Sequence, residues 1–432
     1  MSKSFSRNTF WFTGVTVVER IAAVLQTVLL ARILGITDYG IFGLLFGTIG
    51  LVASIAGLQL GLTATVFVSK YRDNEKEKAA FVISFTKKFG YIISITFLIL
   101  VIPFSRILSY WLIGVSGYEM PVIAGGIMIA LSIVSGMQDG IIQGFEDFRI
   151  LGIVKLAVTV FTLVSLYPIG RLFGLFGVMV AILLSGVIKY ALLSQTIKSH
   201  IQAYQIPSKG GGLKARDFIL GFSFPSVLVS LLVGSITWAG NLVISRQSMG
   251  FESLAIVSTG QQWRGPILLL ASITSTVLLP LLSRNTRIEE QDTVNHSFRQ
   301  VFYFISAISI GASIVMTMAS SLILRTYGSR FLSGTTIFSL LVISAIPNSL
   351  ATIYMQRLIA DSQMWKILYM HVAWAVIQII GYITLLPIYG GKGIGITNIV
   401  SWTVLFIISV IVCKKHFNPL RHSKYGEDTL LT

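Results

Sequence analysis

The feature that most constrains this chain is a succession of apolar stretches, each long enough to cross a bilayer. A helix needs about 20 apolar residues to span roughly 30 Å of hydrocarbon. Twelve such stretches follow one another, at about 10–34, 40–68, 89–108, 121–143, 150–168, 172–193, 218–244, 254–282, 301–324, 335–360, 367–387 and 393–413. Hydrophobic residues make up 54% of the 432 residues and charged residues only 12%, about half the charge of a soluble globular protein. The mean hydropathy is +0.81. No water-soluble surface can be built from this composition, so an all-α polytopic membrane protein of twelve transmembrane helices is expected. The single cysteine, Cys413, excludes an intramolecular disulfide and a cysteine-based metal site. The first apolar stretch contains Glu19 and Arg20 and lacks a small-residue cleavage site, so it reads as a span and not as a cleaved signal peptide.

A net charge of +16 would suggest nucleic acid in a soluble protein. In a membrane protein the same charge sets orientation. With both termini in the cytoplasm, 24 of the 33 Lys and Arg residues fall on the cytoplasmic side, seven outside and two within spans. An odd number of spans would erase that asymmetry. There is no compact basic domain and no base-stacking motif, which removes nucleic acid as a partner. The longest polar stretches, 194–217 and 414–432, are shorter than an independent domain of about 50 residues. No Gly-x-x-x-x-Gly-Lys-Ser/Thr loop and no His/Ser/Asp or His-x-x-x-His constellation occurs. Neither enzymatic chemistry nor a cofactor or metal is therefore expected.

The linker 194–217, with Pro207 and Gly210 to Gly212, divides the chain into a first bundle of six spans (1–193) and a second (218–413), followed by a cytoplasmic tail (414–432). The halves echo each other. Tyr167-Pro168-Ile169 with Gly174-Leu175 precedes span 6, and Leu386-Pro387-Ile388 with Gly393-Ile394 precedes span 12. The turn Gly35 to Gly40 before span 2 resembles Gly250 to Ala255 before span 8. Parallel six-span repeats are a transporter architecture, with the site expected between the halves near mid-bilayer.

Polar residues line up on several spans at helical spacing: Thr9, Thr13, Thr16, Arg20 and Thr27 on span 1; Ser132, Ser135, Asp139 and Gln143 on span 4; Ser223 to Ser245, including Asn241, on span 7; His371, Gln378 and Tyr382 on span 11. Such faces line a wet cavity or bond to neighbouring helices. Thr16, Asn241, Gln261 and Gln378 are the candidates for lining a sugar-binding cavity. Span 2 carries Gly43, Gly47, Gly50, Ser54, Gly57 and Gly61, a small-residue stripe that lets helix backbones approach closely. Arg20 and Arg264 each lie about 15 Å into a span at 1.5 Å per residue, where an arginine costs about 2.5–3.5 kcal/mol on insertion scales. Each therefore needs an anionic partner or a hydrated cavity. One reading is a structural pair with Asp139 or Glu19. The other is an anion site, for which a guanidinium fork suits phosphate oxygens. Glu19, Asp139 and His371 are the candidates for ion or proton coupling; either acid can equally neutralise an arginine, and His371 can equally be a buried structural histidine.

Leu30-Ala31-Arg32-Ile33-Leu34-Gly35 followed by Tyr39-Gly40 resembles the L-A-R-x-L-G-x-x-x-Y-G signature of bacterial polysaccharide flippases of the Wzx type, within the multidrug/oligosaccharidyl-lipid/polysaccharide (MOP) exporter superfamily. Phe222-Ser223-Phe224-Pro225, Leu278-Leu279-Pro280 with Ser283, and the paired Pro-Ile elements fit the same pattern. Gln59 departs from it, where many members carry Asp or Asn. The resemblance implies two six-helix bundles in a V, alternating access, and a bacterial inner-membrane location. It implies an undecaprenyl-diphosphate-linked oligosaccharide as substrate, with membrane lipids, a polysaccharide polymerase and chain-length proteins as partners. In related lipid II flippases cavity arginines serve the diphosphate, and Arg20 and Arg264 lie in comparable spans, 1 and 8. A multidrug cation antiporter of the same superfamily is the main alternative; it needs acidic cavity residues. A facilitator-type sugar transporter is a further one, but its loop signature is absent from Ser69 to Lys76. A membrane glycosyltransferase or polymerase needs a large outer loop, and the outer loops here are short.

Overall fold

The computed structural model describes residues 3–57, 60–114, 117–207, 210–211, 224–282, 291–360 and 363–416. Gln59 and Ser223 lie outside them, as does the side chain of Thr16. The described residues form helices throughout, with no strand: α1 Lys3–Ala56, α2 Leu60–Tyr71, α3 Lys76–Ile113, α4 Glu119–Gly144, α5 Phe148–Ala203, α6 Phe224–Ser245, α7 Gly250–Leu282, α8 Gln291–Met318, α9 Ser320–Tyr327, α10 Thr335–Ile343, α11 Ala345–Ala360, α12 Met364–Thr384, α13 Leu386–Tyr389 and α14 Gly391–His416. Among the described residues, nine helical segments are long and apolar enough to cross a membrane.

Two of the runs are too long to be single spans. Helix α1 has 54 residues and α5 has 56, which would make each about 80 Å long at 1.5 Å per residue. Each turns at one glycine. Gly35 (φ 73, ψ 176) separates spans 1 and 2 inside α1, and Gly174 (φ 57, ψ −138) separates spans 5 and 6 inside α5. Side chains rarely adopt such positive φ, so these positions require glycine. With both runs counted as pairs, and α7 as span 8, the twelve spans are accommodated. The repeat also recurs in backbone conformation, though with the glycine shifted relative to the proline. Gly390 (φ 53, ψ −132), just after α13, has nearly the backbone conformation of Gly174. The turn partner of Gly174 is thus Gly390, not the Gly393 that sequence pairs with it; Gly393 is already helical within α14.

The chain separates into two compact units, 1–255 with 325–331, and 256–324 with 332–432. Sequence alone puts the second bundle's start at 218, so α6 differs: it packs in the first unit. Trp238 Nε1 donates to Thr48 Oγ1 at 2.9 Å, its ring stacks on Trp111 with centroids 5.8 Å apart, and Arg246 donates to the Trp111 carbonyl. The segment 325–331 belongs there for similar reasons. Arg32 donates to the carbonyls of Thr326 (2.6 Å) and Arg325 (3.1 Å), capping the C-terminal turn of α9, where a cation is favoured. The Tyr327 hydroxyl bonds Thr27 Oγ1 at 2.9 Å, and Tyr327 and Phe331, both essentially buried, pack on Tyr39.

Within the first unit, α2, α3, α4 and α5 enclose a core built on Leu60, Ala64, Val68, Met137, Ile141 and Leu151. Asp147 caps α5, accepting from the Ile150 N–H at 3.1 Å and contacting His200 Nε2 at 3.1 Å. Glycines set the spacing of α2 and α4: a Cβ at Gly140 would overlap the Gly61 backbone, and one at Gly61 would meet the Gly136 carbonyl. Thr65 Oγ1 ties the pair, 3.1 Å from the Gly140 carbonyl. In the second unit, α14 packs against α10, α11 and α12.

Gly140→Val should lower the thermal unfolding midpoint of the detergent-purified protein by the equivalent of roughly 1–3 kcal/mol, the usual range for overpacking. Gly136→Ala, whose Cβ would have nothing within 4 Å, should raise it by the equivalent of about 0.5–1 kcal/mol, the gain of alanine over glycine inside a helix.

Candidate functional site

The ionisable groups inside spans resolve into pairs and remainders. In the first unit, Glu19 on α1 lies 3.9 Å from Lys155 on α5. Asp139 on α4 accepts from Lys189 Nζ on α5 at 2.7 Å. Both acids thus take lysines from α5. Neither acid pairs with Arg20 among the described residues. Arg20 is exposed and enters no ion pair among the described residues. Lys155 and Lys189 escape sequence reasoning because they stand near span ends, where a basic residue reads as an orientation signal.

Arg264 on α7 is in a different setting. It is 8% exposed, inside the second unit. Its Nη1 donates to Asn398 Oδ1 at a long 3.5 Å, and its guanidinium lies over the Trp402 ring, 5.4 Å from the centroid. Nε and Nη2 are buried without a hydrogen-bond partner. A buried cation ordinarily has an anion close by, and no described carboxylate forms an ion pair with this one. Asn398 and Trp402, both on α14, are functional neighbours that sequence periodicity does not single out.

The remaining candidates fall in both units. Asn241 on α6 is buried in the first. Gln261 on α7 is half-buried in the second. The polar line of span 11 is turned into the second unit: Gln378 is 1% exposed, and its Nε2 donates to Ser401 Oγ at 2.9 Å, the helix-to-helix bonding weighed as one reading. His371 is buried, with Nδ1 2.9 Å from the Ile367 carbonyl one turn back and its ring beside Trp374. Among the described residues no group of His, Cys, Asp and Glu is arranged to hold a metal ion.

The polar face of span 4 opens on a cavity of about 370 Å³ in the first unit, bounded by α1, α4 and α5 and lined by Phe46, Gly50, Ser132, Gly136, Asp139 and Lys189 among others. A second of about 280 Å³ shares Ala53, Ser132 and Gly136 with it and continues to Gly57 and Gly61.

With this geometry in hand, the chain can be compared with known proteins. A family model described as Polysaccharide biosynthesis protein matches residues 5–286, more than half of the chain. The EPS I polysaccharide export inner membrane protein EpsE of Ralstonia nicotianae is 21% identical over 416 residues, covering 92% of this chain and 91% of that protein. Among solved structures, an inward-facing multidrug resistance MATE family transporter of the MOP superfamily has a TM-score of 0.76 at 16% identity, covering 93% of this chain and 96% of its own. The lipid II flippase MurJ in an inward closed conformation has a TM-score of 0.75 at 15% identity, covering 93% and 87%. The fold is that of the MOP transporters.

Replacing one member of a buried ion pair strands the other. Lys189→Met should therefore destabilise the purified protein toward the low end of roughly 3–5 kcal/mol, because the pair is about one-fifth exposed. Lys189→Met combined with Asp139→Asn should recover most of that loss in thermal unfolding.

Proposed function

Because the chain belongs to the polysaccharide biosynthesis protein family, we propose that it is a flippase that moves an undecaprenyl-diphosphate-linked oligosaccharide across the bacterial inner membrane by alternating access. The family match and the helical architecture support a multi-pass transporter of the polysaccharide export type with the MOP fold. The lipid-linked cargo is supported by one observation: once Glu19 and Asp139 are held by lysines, Arg20 and Arg264 are the mid-span charges that form no ion pair with a carboxylate among the described residues. Guanidinium forks bind diphosphate oxygens bidentately, so a diphosphate headgroup supplies the anion that these cations lack. Asn241, Gln261 and Gln378 remain the sugar-side candidates. Transport is driven by an ion or proton gradient, with Glu19, Asp139 and His371 as the titratable groups within spans. Both termini face the cytoplasm, and a polysaccharide polymerase and chain-length proteins act on the product.

The alternative, export of cationic drugs, shares the fold. It needs an acid free to meet a cation, and both mid-span acids already have a lysine partner, which weighs against it.

Arg20→Ala and Arg264→Ala should each abolish surface polysaccharide while the protein is expressed at normal levels. Arg→Lys at either position should restore little, since an ammonium cannot reproduce bidentate contact. Unchanged polysaccharide in both alanine variants would overturn the anion-site assignment.

A further inference from the structure

The small-residue stripe of span 2 has two parts with different uses. Gly61 serves close packing against α4. Gly50 does not: a Cβ there would have nothing within 4 Å, and the same holds for Gly136 on α4. Neither has a positive φ. Glycine inside a helix is less stable than alanine, so neither packing nor backbone conformation accounts for these two. Both line the cavity of about 370 Å³ in the first unit. What they provide is room, in a volume at the lower end of the about 300–1,000 Å³ of small-molecule sites.

The chemistry of the walls narrows the occupant. Asp139 gives one carboxylate oxygen, Oδ2, to Lys189. The other, Oδ1, is buried with no hydrogen-bond partner. An ionised carboxylate oxygen only accepts, so a donor is missing there. A phosphate offers no donor and is repelled by Asp139. An isoprenoid chain offers none either. A cationic group is repelled by Lys189, which already neutralises the acid. One water would satisfy Oδ1, but a water's share of liquid volume is about 30 Å³, which leaves most of this half-open cavity without an occupant. A neutral group carrying several hydroxyls meets every condition. It donates to Asp139, accepts from Lys189 and Ser132, and lays its C–H face on the half-exposed ring of Phe46.

We propose that this cavity binds a sugar ring of the cargo, in a subsite within the first unit that is distinct from the arginines; the assignment rests on the lipid-linked oligosaccharide reading above. Asp139 is then a specificity residue for the sugar, and Gly50 and Gly136 keep its place open.

The test is a binding titration on the purified full-length protein with two lipids: undecaprenyl diphosphate, and the undecaprenyl-diphosphate-linked oligosaccharide from the producing strain. The readout is the affinity advantage of the sugar-bearing lipid over the bare one. Asp139→Ala should cut that advantage by about tenfold or more, the worth of a hydrogen bond to a charged group. Gly50→Leu, which fills the cavity without meeting neighbouring atoms at its Cβ, should do the same without touching a charge. In Gly50→Leu binding of bare undecaprenyl diphosphate should stay within about twofold of the wild type; in Asp139→Ala, which removes a carboxylate that repels phosphate and uncovers Lys189, it should not fall. An advantage preserved in both variants, or equal loss for the two lipids, overturns the sugar assignment and leaves Asp139 a coupling or structural group. A wild-type protein that binds neither lipid overturns the cargo reading itself, and this assignment with it.

Discussion

An ionised side chain placed in hydrocarbon must be matched, hydrated or neutralised, and much of this structure follows from how few such groups there are and how they are matched. In the first unit the two mid-span acids each take a lysine from α5: Glu19 takes Lys155 and Asp139 takes Lys189. Those pairs tie α1 and α4 to α5, the helix whose turn at Gly174 brings both lysines into the same unit. They also remove the negative charge that would attract a cationic cargo. The arginines are left. Arg32 is absorbed by the carbonyls that end α9, whereas Arg20 stands exposed and Arg264 lies buried beside a tryptophan face and an amide. The selectivity inferred for the protein is the consequence of that division.

Glycine shapes what surrounds these charges in three separate ways. Positive φ at Gly35, Gly174 and Gly390 makes turns too tight for other residues. The absence of a side chain at Gly61 and Gly140 lets α2 and α4 touch through their backbones. At Gly50 and Gly136 the same absence leaves space. One residue type thus bends the long helices, closes one part of the first unit and opens another.

Much of the fold is legible in the sequence because bilayer thickness imposes a length on every apolar run. The twelve spans are visible for that reason. The shortness of the joints at Gly35 and Gly174 is not, since one non-helical glycine does there what a sequence reading assigns to a loop. Nor is the membership of α6 and of 325–331 in the first unit, which depends on particular tertiary contacts: Trp238 with Thr48, and Tyr327 with Thr27. At the candidate site, Arg20, Arg264 and Asp139 stand out because charge inside a span is rare. Their surroundings do not. Lys155 and Lys189 resemble orientation signals, and Asn398 and Trp402 are ordinary interior residues until the fold brings them to Arg264.

The fold is shared by a multidrug resistance transporter and a lipid II flippase, so cargo has to be decided by the chemistry of the charged groups. Acids held by lysines, and arginines that meet no carboxylate among the described residues, favour the anionic headgroup proposed here. The most direct measurement is translocation by the purified protein in proteoliposomes, with undecaprenyl-diphosphate-linked oligosaccharide and a lipophilic cationic dye offered in parallel under an imposed ion gradient. Movement of the lipid-linked oligosaccharide with the dye left in place is the result expected here. Movement of the dye with the lipid left in place would contradict it.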